Sequence, residues 1–148
     1  MNSDYRILPL TIQDIPRMLD LWEKAGLPFK PQGRDSLSEI QRQMRTDTVI
    51  FLGALFGKND DLVGTVVGTD DGRKGYLNRL AVLPDHRGKG VGSALLKKCE
   101  LWLRQRGRGI ITALVEEGND ASFEFMRGNE YEEHRDIVYF TKRDNPDV

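Results

Sequence analysis

The chain has 148 residues, 39% hydrophobic and 30% charged, which fits one folded domain over residues 1–148 with a proper core, and no second domain is expected. Lys+Arg 22 against Asp+Glu 23 leave a formal charge of −1, which argues against a protein that coats nucleic acid or an anionic membrane. The single cysteine, Cys99, cannot close an internal disulfide, and His86 and His134 lack cysteine company, so neither a disulfide framework nor a zinc site is expected.

At the amino end, Met1-Asn2-Ser3-Asp4 lacks a basic segment ahead of an apolar one, and no apolar run has the length of a bilayer span. A cytoplasmic protein is expected. Tyr5-Arg6-Ile7-Leu8-Pro9-Leu10 reads as a first strand, followed by Thr11-x-x-Asp14, a helix-start box whose acid suits the positive first turn. The helix runs to about Ala25, with Ile15, Met18, Leu19 and Trp22 as its core stripe and Gly26 as its stop. Two prolines and a glycine make Leu27 to Asp35 an irregular loop, and Ser36-x-x-Glu39 opens a shorter helix to about Met44.

Thr48 to Leu55 and Asp61 to Gly68 are rich in β-branched residues, and Gly57-Lys58-Asn59-Asp60 turns one into the other. A second turn, Asp70 to Gly75, leads into Tyr76 to Val82, so three strands form a meander. After Gly92 a helix to about Arg106 places Ala94, Leu95, Cys99 and Trp102 at helical spacing. Cys99 reads as a core residue rather than a nucleophile. Arg104, Arg106 and Arg108 complement the negative pole of that helix. The continuous apolar run Ile110 to Val115 is a strand covered on both faces, expected parallel to the preceding strand through a right-handed crossover. Asn119 caps a last helix from Asp120 to about Gly128, with Phe123, Phe125 and Met126 contributing core, and Tyr131 and Asp136 to Thr141 suggest final strand structure.

Between the third strand and the long helix lies Arg87-Gly88-Lys89-Gly90-Val91-Gly92-Ser93. A fixed cation and several amides without side chains fall where a helix begins, and there the unpaired N–H groups and the positive helix end favour an anion. A pyrophosphate cradle is the reading that follows. A dinucleotide fingerprint would need glycine where Ser93 stands, and a P-loop would need serine or threonine where Gly90 stands.

The stretch from Tyr76 to Leu96 resembles the acetyl-CoA-binding core of the GNAT acyltransferase superfamily. The family pattern Leu-x-Val-x-Pro-x-x-Arg-x-x-Gly-x-Gly is matched without insertion by Leu80-x-Val82-x-Pro84-x-x-Arg87-x-x-Gly90-x-Gly92. The second family signature, ending Phe-Tyr-x-x-x-Gly-Phe, is partly matched by Asn119, Ala121, Phe125-Met126 and Glu130-Tyr131. The resemblance runs from Tyr5 to Arg143. It implies an α/β fold with a mixed, mostly antiparallel sheet of about six to seven strands splayed around the cofactor and about four flanking helices. It also implies an N-acetyltransferase that moves the acetyl group of acetyl-CoA, by direct attack, to a primary amine of a small molecule or of a peptide or protein, releasing CoA. No nucleic acid, membrane or metal enters this reading, and the chain is expected as a monomer or a homodimer.

Under that resemblance the backbone of Leu80, Ala81 and Val82 holds the pantetheine arm like an extra strand. Arg87, Gly88, Lys89, Gly90, Val91, Gly92 and Ser93 hold the phosphates, Asn119 meets the pantetheine amides, and Phe125 packs on the arm. Phe29, Lys30 and Arg34 border the acceptor, the two cations favouring a carboxylate or phosphate on it. Met126 departs from the family, because a tyrosine often stands there as proton donor and a thioether cannot donate. Tyr131, Tyr139 or water is left for that role. For the base, Glu116 or Glu117 follows the strand towards the expected cleft, with at most one facing it. Asp71 is a further acid, and Asn78 can orient a water. The alternative is a GNAT-like protein that binds CoA or acyl-CoA without catalysis, as a sensor or partner subunit.

Overall fold

The β-branched segments Val49–Phe56 (β2) and Asp61–Asp70 (β3) form the expected antiparallel hairpin at the middle of the sheet. Tyr5–Pro9 (β1) joins the free side of β2, Gly75–Val82 (β4) joins β3, and Ile111–Ala113 (β5) lies parallel to the start of β4. The order is therefore β1-β2-β3-β4-β5. This computed structural model describes residues 3–148, so the part of the amino-terminal reading that falls on Met1 and Asn2 lies outside the described residues. No helix among the described residues is long and apolar enough to cross a membrane.

Helices cover both faces. Thr11 donates its amide to Asp14 Oδ2 at 2.7 Å, starting a 3-10 turn, Ile12–Asp14, that runs into Ile15–Lys24 (α1). The buried stripe of α1 is Ile15, Met18, Leu21 and Trp22; Leu19, expected in it, lies only half-buried at its margin. Leu37–Met44 (α2) begins where Ser36 Oγ accepts the Glu39 amide at 3.3 Å. The α1 stripe and Ile40 of α2 pack on one face against Phe51, Leu55 and Val67.

The opposite face carries Val91–Gln105 (α3), whose buried residues are Val91, Leu95, Leu96, Cys99 and Leu103. Glycines make room for it. A Cβ on Gly68 would run into Cys99 Sγ, and one on Gly75 would stand 2.6 Å from Leu103 Cδ1. A Cβ on Gly64 would meet Leu95 Cδ1 at 3.0 Å. The helix thus lies closer to the sheet than side chains there would allow, which fixes the height of its amino end above β4.

Asp120–Gly128 (α4) follows β5. Among the described residues the sheet has five strands, fewer than the six to seven expected, because Asp136 to Thr141 does not join it. That segment is β-prone, yet propensity holds a strand only where a ladder partner and a buried face exist. Ile137 is 72% and Phe140 88% exposed, so neither is met here. Ile110, Leu114 and Val115 likewise fall outside the three-residue β5. In α4, Phe123, Phe125 and Met126 are half-buried, and none is fully enclosed.

Candidate functional site

The sheet divides where the cradle begins. β5 pairs with β4 only through Gly75↔Ile111, Tyr76↔Thr112 and Leu77↔Ala113. From Asn78 to Val82, β4 has no ladder partner on that side among the described residues. A strand edge of this kind offers N–H and C=O groups to any extended chain laid along it. It includes Leu80, Ala81 and Val82.

β4 also carries a bulge. Thr65 pairs with Ala81 and Val67 with Asn78, so Arg79 and Leu80 together face Val66. Arg79 takes φ +54°, the left-handed region that a residue with a Cβ seldom adopts. Its carbonyl accepts Thr65 Oγ1 at 3.1 Å, and that same hydroxyl oxygen accepts Trp22 Nε1 at 3.0 Å.

Beyond Val82 a 3-10 turn, Pro84–His86, leads to the glycine-rich turn and α3. Gly88 and Gly90 have φ of +73° and +82°, where glycine is without penalty. The amides of Gly88, Lys89, Gly90, Val91, Gly92 and Ser93 donate to no backbone carbonyl among the described residues, as befits the first turn of a helix. They form a set of donors at the positive pole of α3. Gly92 lies under Phe125, whose Cε2 would be 3.2 Å from a Cβ there, with Val82 Cγ2 at 3.8 Å. The cradle, the open edge of β4 and Phe125 are thus brought together. The free amides and the open edge fit a ligand with an anionic head and an amide-bearing tail.

Arg87 has a second attachment. Its Nε donates to Val82 O at 2.8 Å and its Nη2 to Ala25 O at 3.2 Å, joining the end of β4 to the end of α1. Asn119 caps α4 by accepting the Ser122 amide at 3.3 Å through Oδ1, leaving its amide nitrogen for another acceptor.

In the loop between α1 and α2, Phe29 packs edge-on against Trp22 with centroids 6.0 Å apart. Lys30 and Arg34 are carried on the same loop. The loop winds around Asp35, a carboxylate only 6% exposed. Asp35 Oδ2 accepts the Lys30 amide at 2.7 Å and Arg79 Nη2 at 2.6 Å, with Arg34 Nε at 3.8 Å. Arg79 also donates to Pro28 O and lies over the Trp22 ring, 5.2 Å from its centroid. Burial works against the Arg79 charge, and Asp35 works for it. Neither Arg79 nor Asp35 stands out in the sequence. The one available sign was Asn78-Arg79, two polar residues in succession where a regular strand would alternate.

The catalytic candidates are spread out. Asn78 is exposed on β4, and Glu116 and Glu117 are exposed beyond the end of β5, so all three flank the division of the sheet. Asp71 sits at the other end of β4 and holds the turn by accepting the Arg73 and Lys74 amides at 2.7 and 2.6 Å. Those bonds keep its carboxyl below the ordinary value, which weakens it as a base. Tyr131 packs against α3 and donates its hydroxyl to Glu100 at 2.8 Å; burial first, then Glu100, raise its pKa. Tyr139 is 67% exposed in the tail.

Known proteins resemble this chain in sequence and in fold. The model of the Acetyltransferase (GNAT) family matches residues 15–131. Acetyltransferase plu1384 of Photorhabdus laumondii is 36% identical over 132 residues, 88% of this chain and 89% of that protein. Acetyltransferase ECA0875 of Pectobacterium atrosepticum is 36% identical over 119 residues, 80% of this chain and 82% of its own. Among solved structures, the aminoglycoside enzyme AAC(6')-Iy, in complex with a CoA-linked acetylneamine bisubstrate analog, superposes with a TM-score of 0.81 at 17% identity, covering 95% of this chain and 99% of the other. The PaiA N-acetyltransferase of Thermoplasma acidophilum, in complex with coenzyme A, gives a TM-score of 0.75 at 20% identity, covering 87% and 89%.

Proposed function

The chain belongs to the GNAT acetyltransferase family, and from that premise we propose that it is an acetyl-CoA-dependent N-acetyltransferase acting on a primary amine, with a small molecule favoured over a protein. The observation that carries this is the unpaired edge of β4 from Asn78 to Val82 leading straight into free amides at the head of α3. Acetyl-CoA would supply an activated acetyl group as a thioester. Leu80, Ala81 and Val82 hold its arm through backbone groups, and Gly88 to Ser93 with Lys89 and Arg87 hold its phosphates. Asn119 donates to an arm carbonyl, and Phe125 closes over the side.

The residues then have to manage alignment and two protons. An alkyl ammonium, which in water gives up its proton only near pH 10.4 or so, about the value for a free lysine side chain, must lose that proton before its nitrogen can attack. Glu116, directly or through a water oriented by Asn78, takes it. As the new C–N bond forms and the C–S bond breaks, the departing sulfur needs a proton back. Met126 cannot give one, and the Tyr131 hydroxyl would first have to leave Glu100, so water at the open division of the sheet is the donor we favour. Phe29, Lys30 and Arg34 line the acceptor approach. Aminoglycoside acetyltransferases among the structural neighbours make a polyhydroxylated amine the first acceptor class to try.

The test is calorimetric titration of acetyl-CoA, with ATP as control, followed by CoA release over an amine panel. Binding on the order of micromolar is expected, weakened about tenfold in Arg87→Ala through loss of a charged contact. Tight binding without turnover on any amine would favour the non-catalytic CoA-binding alternative that Met126 raises. Absence of acetyl-CoA binding would sink both.

A further inference from the structure

Two parts of the proposed site come from elements far apart in sequence, and one largely enclosed ion pair joins them. The loop between α1 and α2 carries Phe29, Lys30 and Arg34; the bulged half of β4 carries the open edge. Between them, Arg79 reaches from the bulge to Asp35 and Pro28 O of the loop. We propose that Arg79 and Asp35 are a positioning pair that registers the Pro28–Asp35 loop against the bulge of β4, so that an amine held by the loop and a thioester held along β4 meet at a fixed offset. The inference rests on the transferase reading given above.

Arg79 is fixed at both ends. Its carbonyl is held by Thr65, itself held by Trp22, while its guanidinium lies on the Trp22 ring. A left-handed φ at a residue with a Cβ persists only where the surroundings over-determine it. These contacts do so. Asp35 is fixed equally well on the loop side, since its carboxylate receives the Lys30 amide and its own amide donates to Lys30 O at 2.9 Å. The acceptor loop is therefore folded around one carboxylate, and that carboxylate is tied to one strand residue. Arginine suits the task because its planar fork serves Pro28 O and Asp35 together, which the point charge of a lysine cannot do. Neither side chain needs to touch a reacting atom.

Removing one partner of a buried pair leaves an uncompensated charge and risks unfolding. The test therefore uses Arg79→Lys, Asp35→Asn and the charge-free double variant Arg79→Met/Asp35→Asn, with circular dichroism as a check on the fold. Three readouts are taken: hydrogen exchange of the Phe29, Lys30 and Gln32 to Ser36 amides, acetyl-CoA affinity by calorimetry, and CoA release with neamine and a lysine-containing peptide as acceptors. Loop exchange is expected to rise about tenfold in Asp35→Asn and in the double variant, while exchange in β2 and β3 stays as in the parent. Acetyl-CoA affinity should stay within about threefold, and acceptor KM should rise about tenfold with a smaller change in kcat. Arg79→Lys should fall between. Unchanged loop exchange would overturn the proposal, as would an acetyl-CoA affinity that falls by the same factor as the acceptor KM rises. A parent protein that binds acetyl-CoA but acetylates neither amine would count against the transferase reading alone, because loop exchange still decides whether the pair holds the loop.

Discussion

Asn119 uses only half of its amide group within the fold. Its oxygen accepts the Ser122 amide and caps α4, and its nitrogen is left over. Aspartate at that position keeps the capping oxygen, and its charge suits the helix start, but it has no N–H to offer a ligand. Asn119→Ala should therefore lose about 1 kcal/mol of stability with the cap, whereas Asn119→Asp should melt like the parent; both should bind acetyl-CoA more weakly. Thermal melts beside calorimetric titrations separate these effects, and an Asn119→Asp protein with parental affinity would reduce Asn119 to a cap. Cys99 stands in contrast. Burial, and then the neighbouring Glu100, push its thiol up to about 12, so it is an inert core group on the buried face of α3, as its position on an apolar helix face had indicated.

At the scale of elements, the approach of α3 to the sheet is set by what is missing from β3 and β4. Adding a single methyl at Gly68 would press on Cys99 Sγ and on Ile50 Cγ2, 3.1 Å away. Gly68→Ala is expected to cost about 1–3 kcal/mol by overpacking, read from urea unfolding, and pairing it with Cys99→Ala should recover part of the loss. If the single variant is as stable as the parent, α3 is not seated as described. Much of this was legible beforehand. The hairpin of β2 and β3 was announced by β-branched residues around Gly57 to Asp60, the helix starts by Thr11, Ser36 and Asn119, and the turn ahead of α3 by its run of glycines. What stayed hidden depends on contacts distant in sequence. No local pattern says that Asp35 will be buried against Arg79, forty-four residues on, and the bulge of β4 leaves only the adjacent polar residues Asn78-Arg79 as a sign. Ile137 to Phe140 failed in the opposite direction, because a strand-like composition cannot reveal whether an edge exists for it to join.

The molecule as a whole is tied at the end of α3 remote from the cradle by Asp70, which is 7% exposed. Its carboxylate accepts the Gly72 amide and Arg106 Nε, each at 2.8 Å, and pairs with Arg108 at 3.2 Å. The bond from Gly72, then that from Arg106, hold its carboxyl below the ordinary value. A carboxyl depressed by folding contributes stability that is complete above its unfolded value, about 3.9, and is lost as pH falls past the folded one. Asp70→Asn should therefore be less stable than the parent at neutral pH, with the gap closing below about pH 4. Urea unfolding across that range checks it, and a gap independent of pH would refute the ionic role.

The parting of β4 and β5 after Leu77 and Ala113 reaches beyond the chemistry it exposes. Half a strand of backbone is left for a guest to complete, so a guest seated there adds to the cohesion of the sheet as well as to its contents. At a hundredfold excess over its dissociation constant such a guest contributes about 2.7 kcal/mol. Openings that admit a protease then become about a hundredfold rarer, and the lifetime of the molecule in a cell would follow the supply of its own ligand.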